Sequence, residues 1–158
     1  MDENVLIKQM PMSVEAEQAV LGAIIIKPES FDQIGGMLSA NDFYLEDHKR
    51  IYSTLLQMYS ASKIIDTVTL VNSISDQNGK DKESTIQYIT LLAESVPSVA
   101  NIKDYAQIVK DKSLLRRLIN TCDDINKDAY EESAPVRNVL DSAQQKIFDI
   151  SQEKKNCK

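Results

Sequence analysis

Residues 113–150 read SLLRRLINTCDDINKDAYEESAPVRNVLDSAQQKIFDI, and the pattern of this stretch gives the strongest indication of the fold. Apolar residues recur in it at alternating spacings of three and four, before and after the turn EESAP. Two long helices joined by so short a turn pack antiparallel. The sequence therefore predicts a helical hairpin over residues 101–152, with a first helix from Ile102 to Tyr130. The predicted hairpin seam consists of Leu115, Leu118, Cys122, Leu140, Ala143 and Ile147.

Other apolar residues of the hairpin lie off that predicted seam. We expect them at a contact between copies of the chain, because a small head cannot cover a protruding hairpin along its whole length, and exposed apolar patches usually mark contacts. Packing of these residues back onto the head is the alternative. The predicted oligomer interface consists of Leu114, Ile119, Val139 and Phe148.

Residues 13–100 are predicted to form a compact head of about five short helices. Ser13 is the expected N-cap of the first helix, with Glu15 and Glu17 in its first turn, where the helix dipole favours acids. Gly22 lies inside that helix, and close packing by another helix is the expected reason. Residues 1–12 are predicted to be a flexible leader and residues 153–158 the start of a linker.

Two later segments of the head are harder to assign from the residue pattern. The stretch TVTLVNSIS after Asp66 is rich in β-branched residues and suits a strand, whereas Asp66 as an N-cap and apolar residues at three-residue spacing favour a helix. Further on, KDKES is predicted to be a solvated loop, with Ser84 capping the next helix. The overall prediction is an all-α chain, since four glycines and four prolines are too few for the turns of a sandwich or barrel.

The composition excludes several kinds of functional site. The single histidine, His48, rules out a zinc site built on several imidazoles, and it lies in an apolar helical stripe where a packed, hydrogen-bonded role is expected. The two cysteines show no CxxC spacing, and Cys122 is expected to be a buried thiol. With so few glycines, no GxGxxG or GxxxxGK[ST] phosphate-binding motif occurs.

Charge is distributed unevenly along the chain. Residues 1–100 carry 7 Lys and Arg against 14 Asp and Glu, a net charge of −7, and residues 101–158 carry 11 against 10, a net charge of +1. An acidic head of this kind does not favour autonomous binding to duplex DNA. Arg116 and Arg117, with Lys110 and Lys112, form the one basic cluster, and no aromatic residue interrupts it. A module that binds single-stranded DNA is therefore the weaker alternative.

Five blocks along the chain, in order and spacing, resemble the N-terminal domain of the bacterial replicative DNA helicase, the DnaB family. They are MPMSVEAEQAVLGAIII, NDFYLEDHKRIY, IDTVTL, VPSVANIKDYAQIV and SLLRRLI, and the resemblance runs from about Met10 to about Ser151. KESTIQYI departs from the family, which usually has a Gly-Gly turn before QYI. The family also continues through a linker helix into an ATPase domain, so we expect this chain to be a fragment of a longer helicase.

The resemblance implies a docking and assembly module that is not itself an enzyme. Domains of the family pair through their hairpins, and three pairs form a collar on a hexameric ring that binds primase and, in some bacteria, the helicase loader. ATP and magnesium would belong to the missing ATPase domain, DNA contact would be weak or indirect, and no membrane is involved. The expected location is the bacterial cytoplasm, at replication forks. The residues expected to bind the C-terminal domain of primase are Glu15, Tyr88, Ile119 and Ile125.

Overall fold

The structure, a computed structural model, describes residues 9–78 and 81–155. These residues contain helices and connecting turns and no strand, which confirms the predicted all-α class. Short 3₁₀ turns lie at Pro28–Ser30, Ala40–Asp42 and Val99–Asn101. No helix in the described ranges is both long and apolar enough to cross a membrane. The α-helices are α1 Val14–Ile26, α2 Phe31–Ile34, α3 Glu46–Ser60, α4 Thr67–Asn78, α5 Lys82–Glu94, α6 Ile102–Glu131 and α7 Val136–Lys155.

Local capping explains where several helices begin. The Ser13 hydroxyl accepts a hydrogen bond from the Ala16 amide at 3.2 Å, as predicted. Asp66 accepts from the Thr69 amide at 2.9 Å while Thr69 Oγ1 accepts from the Asp66 amide, so the stretch after Asp66 is helical and not a strand. The predicted start of α5 was wrong: Asp81 caps it through the Glu83 amide, and Lys82, Glu83 and Ser84 already belong to the helix.

The chain divides into two compact units, and the division falls inside α6. The head unit is Ser13–Lys110, which is ten residues longer than the predicted head. The hairpin unit comprises residues 111–155 together with residues 9–12 of the predicted leader. Within the hairpin unit, Arg116 Nη1 donates to the Pro11 carbonyl at 2.8 Å. Residues 1–8 and 156–158, which hold most of the predicted leader and part of the predicted linker, lie outside the described residues.

The core of the head unit forms around an aromatic group. The Tyr52 ring packs against Phe43 at a centroid distance of 4.8 Å and meets Phe31 edge-on at 5.7 Å. Tyr52 and Phe43 are almost completely buried, and the Tyr52 hydroxyl donates to the Leu38 carbonyl at 3.3 Å. Burial, with a smaller effect from the Asp42 charge, raises the pKa of Tyr52 to about 12.

Gly22 lets α1 and α5 approach closely, as predicted. A Cβ at this position would lie 2.1 Å from the Leu92 carbonyl oxygen and 2.4 Å from Val96 Cγ2. The first of these is a backbone atom and cannot rotate away. The contact between α1 and α5 therefore requires glycine, even though glycine costs helix propensity at this position.

Ion pairs connect α6 and α7 within the described part of the hairpin unit. Lys146 Nζ lies 2.8 Å from Asp128 Oδ2 near the connecting turn, and Arg117 pairs with Glu153 toward the other end. From one ion pair to the other, the residue number rises on α6 from 117 to 128 and falls on α7 from 153 to 146. The two helices therefore run antiparallel, in agreement with the predicted hairpin.

The predicted hairpin seam, in contrast, was largely wrong. Leu115, Leu118, Cys122, Leu140 and Ile147 are exposed, and of the predicted set only Ala143 is half-buried. Each helix carries two rows of residues at the same spacing, and hydrophobicity favoured the more apolar row. The structure instead places the row that contains the charged residues of these ion pairs between the helices. The half-buried residues at seam spacing are Leu114, Arg117, Thr121, Ile125 and Asp128 on α6, and Val139, Ala143, Lys146, Ile150 and Glu153 on α7.

Candidate functional site

A buried acid–histidine pair connects α1 and α3. Glu17 is 1% exposed and His48 is fully buried, and His48 Nδ1 lies 2.7 Å from Glu17 Oε1. The other carboxylate oxygen, Oε2, accepts from the Tyr44 amide at 2.8 Å. Both oxygens of a carboxylate removed from water therefore have donors, which offsets the cost of burying it. The packed, hydrogen-bonded role predicted for His48 is confirmed.

Tyr88 on α5 extends this pair toward the surface. Its hydroxyl lies 2.5 Å from His48 Nε2, and Gln18 Nε2 donates to it at 3.5 Å. The Tyr88 ring stacks beside the His48 ring, with centroids 5.8 Å apart and planes 18° from parallel. Burial raises the pKa of Tyr88 and the charges of Asp47 and Glu17 raise it further, while the Gln18 hydrogen bond acts in the opposite direction. The sequence did not indicate this use of the hydroxyl.

A single assignment of protons satisfies the whole network. An imidazole with its hydrogen on Nδ1 donates to Glu17 and leaves Nε2 as an acceptor for the Tyr88 hydroxyl. The Tyr88 oxygen then accepts from Gln18. We call Glu17, His48, Tyr88 and Gln18 the Tyr88 network.

Tyr88 forms one wall of a small cleft in the head unit. The cleft has a volume of about 110 Å³, and the buried side chains of Ile51, Ile74 and Ile89 form its base. Asp47 and Arg50, which pair at 3.1 Å, lie at its rim. An apolar base with a charged rim and an aromatic wall suits a contact with a protein side chain.

Glu15 lies close to this region and is exposed to solvent. It is one turn before Gln18 on α1, on the same side of the helix, and Gln18 contacts Tyr88. Glu15 and Gln18 also line a shallow groove with Tyr105 and Ile108. The structure therefore brings the two head residues expected to bind primase, Glu15 and Tyr88, onto neighbouring surface.

The two hairpin residues expected to bind primase occupy different environments. Ile119 is exposed, whereas Ile125 is half-buried at seam spacing. Six residues along an α-helix correspond to about 600° of rotation, so the two side chains point to different sides of α6. The structure does not bring them together on one face of the hairpin.

The hairpin unit presents one apolar face to solvent. On each helix most of the exposed apolar residues lie to the same rotational side of the half-buried stripe, and for antiparallel helices this places them on one side of the hairpin. Ile119 and Phe148 lie at the outer edge of that side, about 160° to 180° around the helix from the stripe. Of the predicted oligomer interface, Ile119 and Phe148 belong to this face, whereas Leu114 and Val139 are half-buried at seam spacing. We call this surface the hairpin face, and it consists of Leu115, Leu118, Ile119, Cys122, Leu140, Ile147 and Phe148.

Most residues of the basic cluster, Lys110, Lys112, Arg116 and Arg117, make hydrogen bonds or ion pairs within the protein. Lys110 is buried, and its Nζ lies 3.4 Å from both oxygens of buried Asp42. Arg116 is buried and bonded to the Pro11 carbonyl, and Arg117 pairs with Glu153. Three of the four cations are therefore held by other parts of the protein, which weakens the case for a nucleic-acid groove.

The comparison with known families agrees with this architecture. The model of the DnaB-like helicase N terminal domain matches residues 9–111. The chain belongs to this family. The DnaB family likeness extends into the hairpin unit: a crystal structure of the N-terminal domain of DnaB helicase from Mycobacterium tuberculosis is 33% identical, with a TM-score of 0.80, and the match covers 89% of this chain and 99% of that one.

Longer relatives are replicative helicases of bacteria. The replicative DNA helicase DnaC of Bacillus subtilis (strain 168) is 38% identical over 144 residues, and DnaB of Pasteurella multocida (strain Pm70) is 37% identical over 145. The match covers 91% of this chain and 32% and 31% of those proteins, so the chain spans about a third of their length. A second similar structure is that of a DnaB-like replicative helicase, described together with its interactions with primase. It is 25% identical, with a TM-score of 0.67, and the match covers 87% of this chain and 31% of that one.

Proposed function

We propose that this chain is the non-catalytic N-terminal domain of a replicative DNA helicase, which assembles a hexamer collar and docks primase. The observation that carries the proposal is the hairpin face, an apolar surface left open on a single chain. Family membership and the replicative helicases among its relatives support the assignment. The proposed location is the bacterial cytoplasm, at replication forks.

Self-association through the hairpin face is the first part of the proposal. Two hairpins that bury this face would pair as a dimer, and three dimers would form the collar of the hexamer. Exposure of the apolar side chains of the hairpin face to water is unfavourable, and their burial in a contact between two copies is favourable. Sedimentation of the 158-residue chain over a concentration range tests this: we expect a monomer–dimer equilibrium, and a monomer at all concentrations would contradict it.

Primase docking is the second part. The C-terminal domain of primase is the proposed partner of the surface around Glu15 and Tyr88 on the head unit. Ile119 and Ile125 on the hairpin unit are the other residues proposed to bind it. The structurally similar helicase that interacts with primase supports this choice of partner. A helicase loader is a further candidate. Calorimetric titration is the test: Tyr88→Ala should weaken binding by roughly 2 kcal/mol, as for an interface anchor. Unchanged affinity in both Tyr88→Ala and Glu15→Ala, with the fold intact, would contradict the proposed surface.

The third part is that the chain performs no nucleotide chemistry and needs no cofactor. The sequence contains no phosphate-binding loop of the GxxxxGK[ST] type. ATP and magnesium would act in the ATPase domain of the whole helicase. We expect no ATP turnover above a control without protein, and turnover abolished by a point substitution in this chain would refute the assignment.

Binding of single-stranded DNA is the alternative function, and the internal use of Lys110, Arg116 and Arg117 counts against it. Fluorescence anisotropy with a labelled oligonucleotide at two salt concentrations separates the two functions. We expect no binding near physiological salt. Tight binding that weakens steeply as salt rises would favour the alternative.

A further inference from the structure

We propose that Glu17 and His48 are positioning residues that hold Tyr88 in the orientation in which it lines the cleft. Both residues are buried beneath the surface and cannot meet a partner themselves. The inference rests on the proposed docking of primase and identifies what controls the shape of that surface. It assigns a role to a buried polar group that the proposed assembly does not otherwise use.

Hydrogen bonds of the Tyr88 network link three helices, α1, α3 and α5. Tyr44, in the segment before α3, and His48 within α3 both donate to Glu17 on α1. His48 is thereby fixed at Nδ1, and its Nε2 is presented to Tyr88 on α5. The order of the bonds runs from the interior outward, so each member is positioned by the one beneath it.

The Tyr88 hydroxyl is held at two points. His48 Nε2 accepts a hydrogen bond from the hydroxyl and Gln18 donates one to its oxygen, while the histidine ring limits rotation by stacking. A side chain already fixed in its bound orientation loses less conformational entropy when a partner arrives. Tyr88 therefore offers a partner its ring surface, and its hydroxyl serves the interior.

The test measures primase binding in variants that release Tyr88 without touching the surface. His48→Asn keeps an amide donor near the Nδ1 position for Glu17 and removes the acceptor for Tyr88. We expect affinity for the primase C-terminal domain to fall roughly three- to tenfold, the cost of ordering one side chain. In a Tyr88→Phe background the same substitution should change affinity by less than about twofold, because the hydroxyl that His48 holds is already absent.

Thr54→Val is the matched control for lost stability. Thr54 is buried on the same helix and its hydroxyl donates to the Arg50 carbonyl at 2.8 Å. This variant removes a buried hydrogen bond in α3 without removing any member of the Tyr88 network. We expect it to reduce the free energy of unfolding and to leave primase affinity unchanged. If Thr54→Val weakens binding as much as His48→Asn, general destabilisation explains the effect and the proposal is wrong.

A spectroscopic measurement tests the network in the unmodified protein. The chain contains one histidine, so ¹⁵N-histidine labelling of the untagged protein yields a single pair of imidazole nitrogen signals. We expect the Nε2 signal to move in Tyr88→Phe, because this substitution removes the hydroxyl that lies 2.5 Å from Nε2. An Nε2 signal that does not move in Tyr88→Phe would overturn the proposal whether or not His48→Asn folds.

The binding data separate this proposal from the function beneath it. If Tyr88→Ala weakens binding and folded His48→Asn does not, primase docking stands and the positioning role is refuted. If Tyr88→Ala also leaves affinity unchanged, the docking surface itself is wrong and the positioning role is refuted with it.

Discussion

Lys146 Nζ on α7 lies 2.8 Å from the Asp128 carboxylate on α6, so an ion pair occupies a seam position near the turn of the hairpin. Arg117 and Glu153 make the corresponding contact farther along. Charged residues thus help to link the two helices, while several large apolar side chains lie on the hairpin face. The arrangement suits a hairpin whose apolar surface is completed by a second copy.

Replacing Asp128 should change the titration of Lys146. The hydrogen bond that Lys146 donates to Asp128 raises the pKa of Lys146, with a smaller contribution from the Asp124 charge. Since the raised pKa favours the charged amine in the folded state, this stabilisation is complete below pH 10.5 and is lost as pH rises through the folded-state pKa. We expect Asp128→Asn to lower the pKa of Lys146 in an NMR titration, and Asp141→Asn, five residues earlier and about 140° around the same helix, to leave it unchanged. An unaltered pKa in Asp128→Asn would mean that the ion pair does not persist in solution.

Gly22→Ala should destabilise the head unit by about 2–3 kcal/mol through overpacking against α5. Helix propensity alone predicts the opposite sign, a gain of about 1 kcal/mol. Gly36→Ala is the control, because a Cβ there meets no atom within 4 Å. Urea unfolding of the two variants measures the difference, and equal stability would show that α1 and α5 are farther apart than described.

Alkaline pH should destabilise the head unit through Tyr52. Its pKa of about 12 in the folded state lies above the ordinary 10.0, so the unfolded chain loses the proton first and stability falls between pH 10 and pH 12. A shift of this size corresponds to roughly 3 kcal/mol. Tyr52→Phe should remove most of this decline in urea unfolding measured across that range. Tyr59 and Tyr88 also have raised pKa values, so part of the decline should remain. An unchanged pH profile would contradict the burial of the Tyr52 hydroxyl.

Phe148→Glu should shift the chain toward monomer in sedimentation without unfolding it. Phe148 is 53% exposed, so a charge is tolerated in the single chain, whereas burial of that charge in an apolar contact costs several kcal/mol. Ser142→Glu is the control, because Ser142 is exposed on α7 away from the hairpin face.

Alkylation of Cys122 provides an independent reading of the same contact. The Cys122 thiol is exposed on the hairpin face, so with Cys157→Ser as background its rate of modification should fall as protein concentration rises. A rate independent of concentration, together with unchanged sedimentation of Phe148→Glu, would place the contact elsewhere.

Local features of the sequence were sufficient for the secondary structure and the fold class. The side chains of Ser13 and Asp66 each accept a hydrogen bond from the backbone amide three residues later and so cap their helices. The turn before Pro135 separates two long periodic stretches. Both features depend only on residues that are close together in the sequence. Gly22 was also interpretable, because a glycine inside a strong helix has few explanations besides close packing. The start of α5 was missed because Asp81 and Ser84 are both good caps and only the tertiary structure selects one.

Only the tertiary structure decided which surfaces are buried. Two stripes on α6 and α7 share one spacing, and hydrophobicity favoured the wrong one because ion pairs such as Arg117 with Glu153 can fill a seam. Glu17 lies on the apolar side of α1, which indicates that its carboxylate has hydrogen-bond partners. Those donors, His48 and Tyr44, are 31 and 27 residues away in the sequence, so the local pattern did not identify them. Lys110 likewise belonged to an apparent basic cluster until Asp42, 68 residues distant, was placed beside it. Periodicity reports which side of a helix differs from the other, whereas the identity of a buried charge's partner depends on long-range contacts that no local pattern contains.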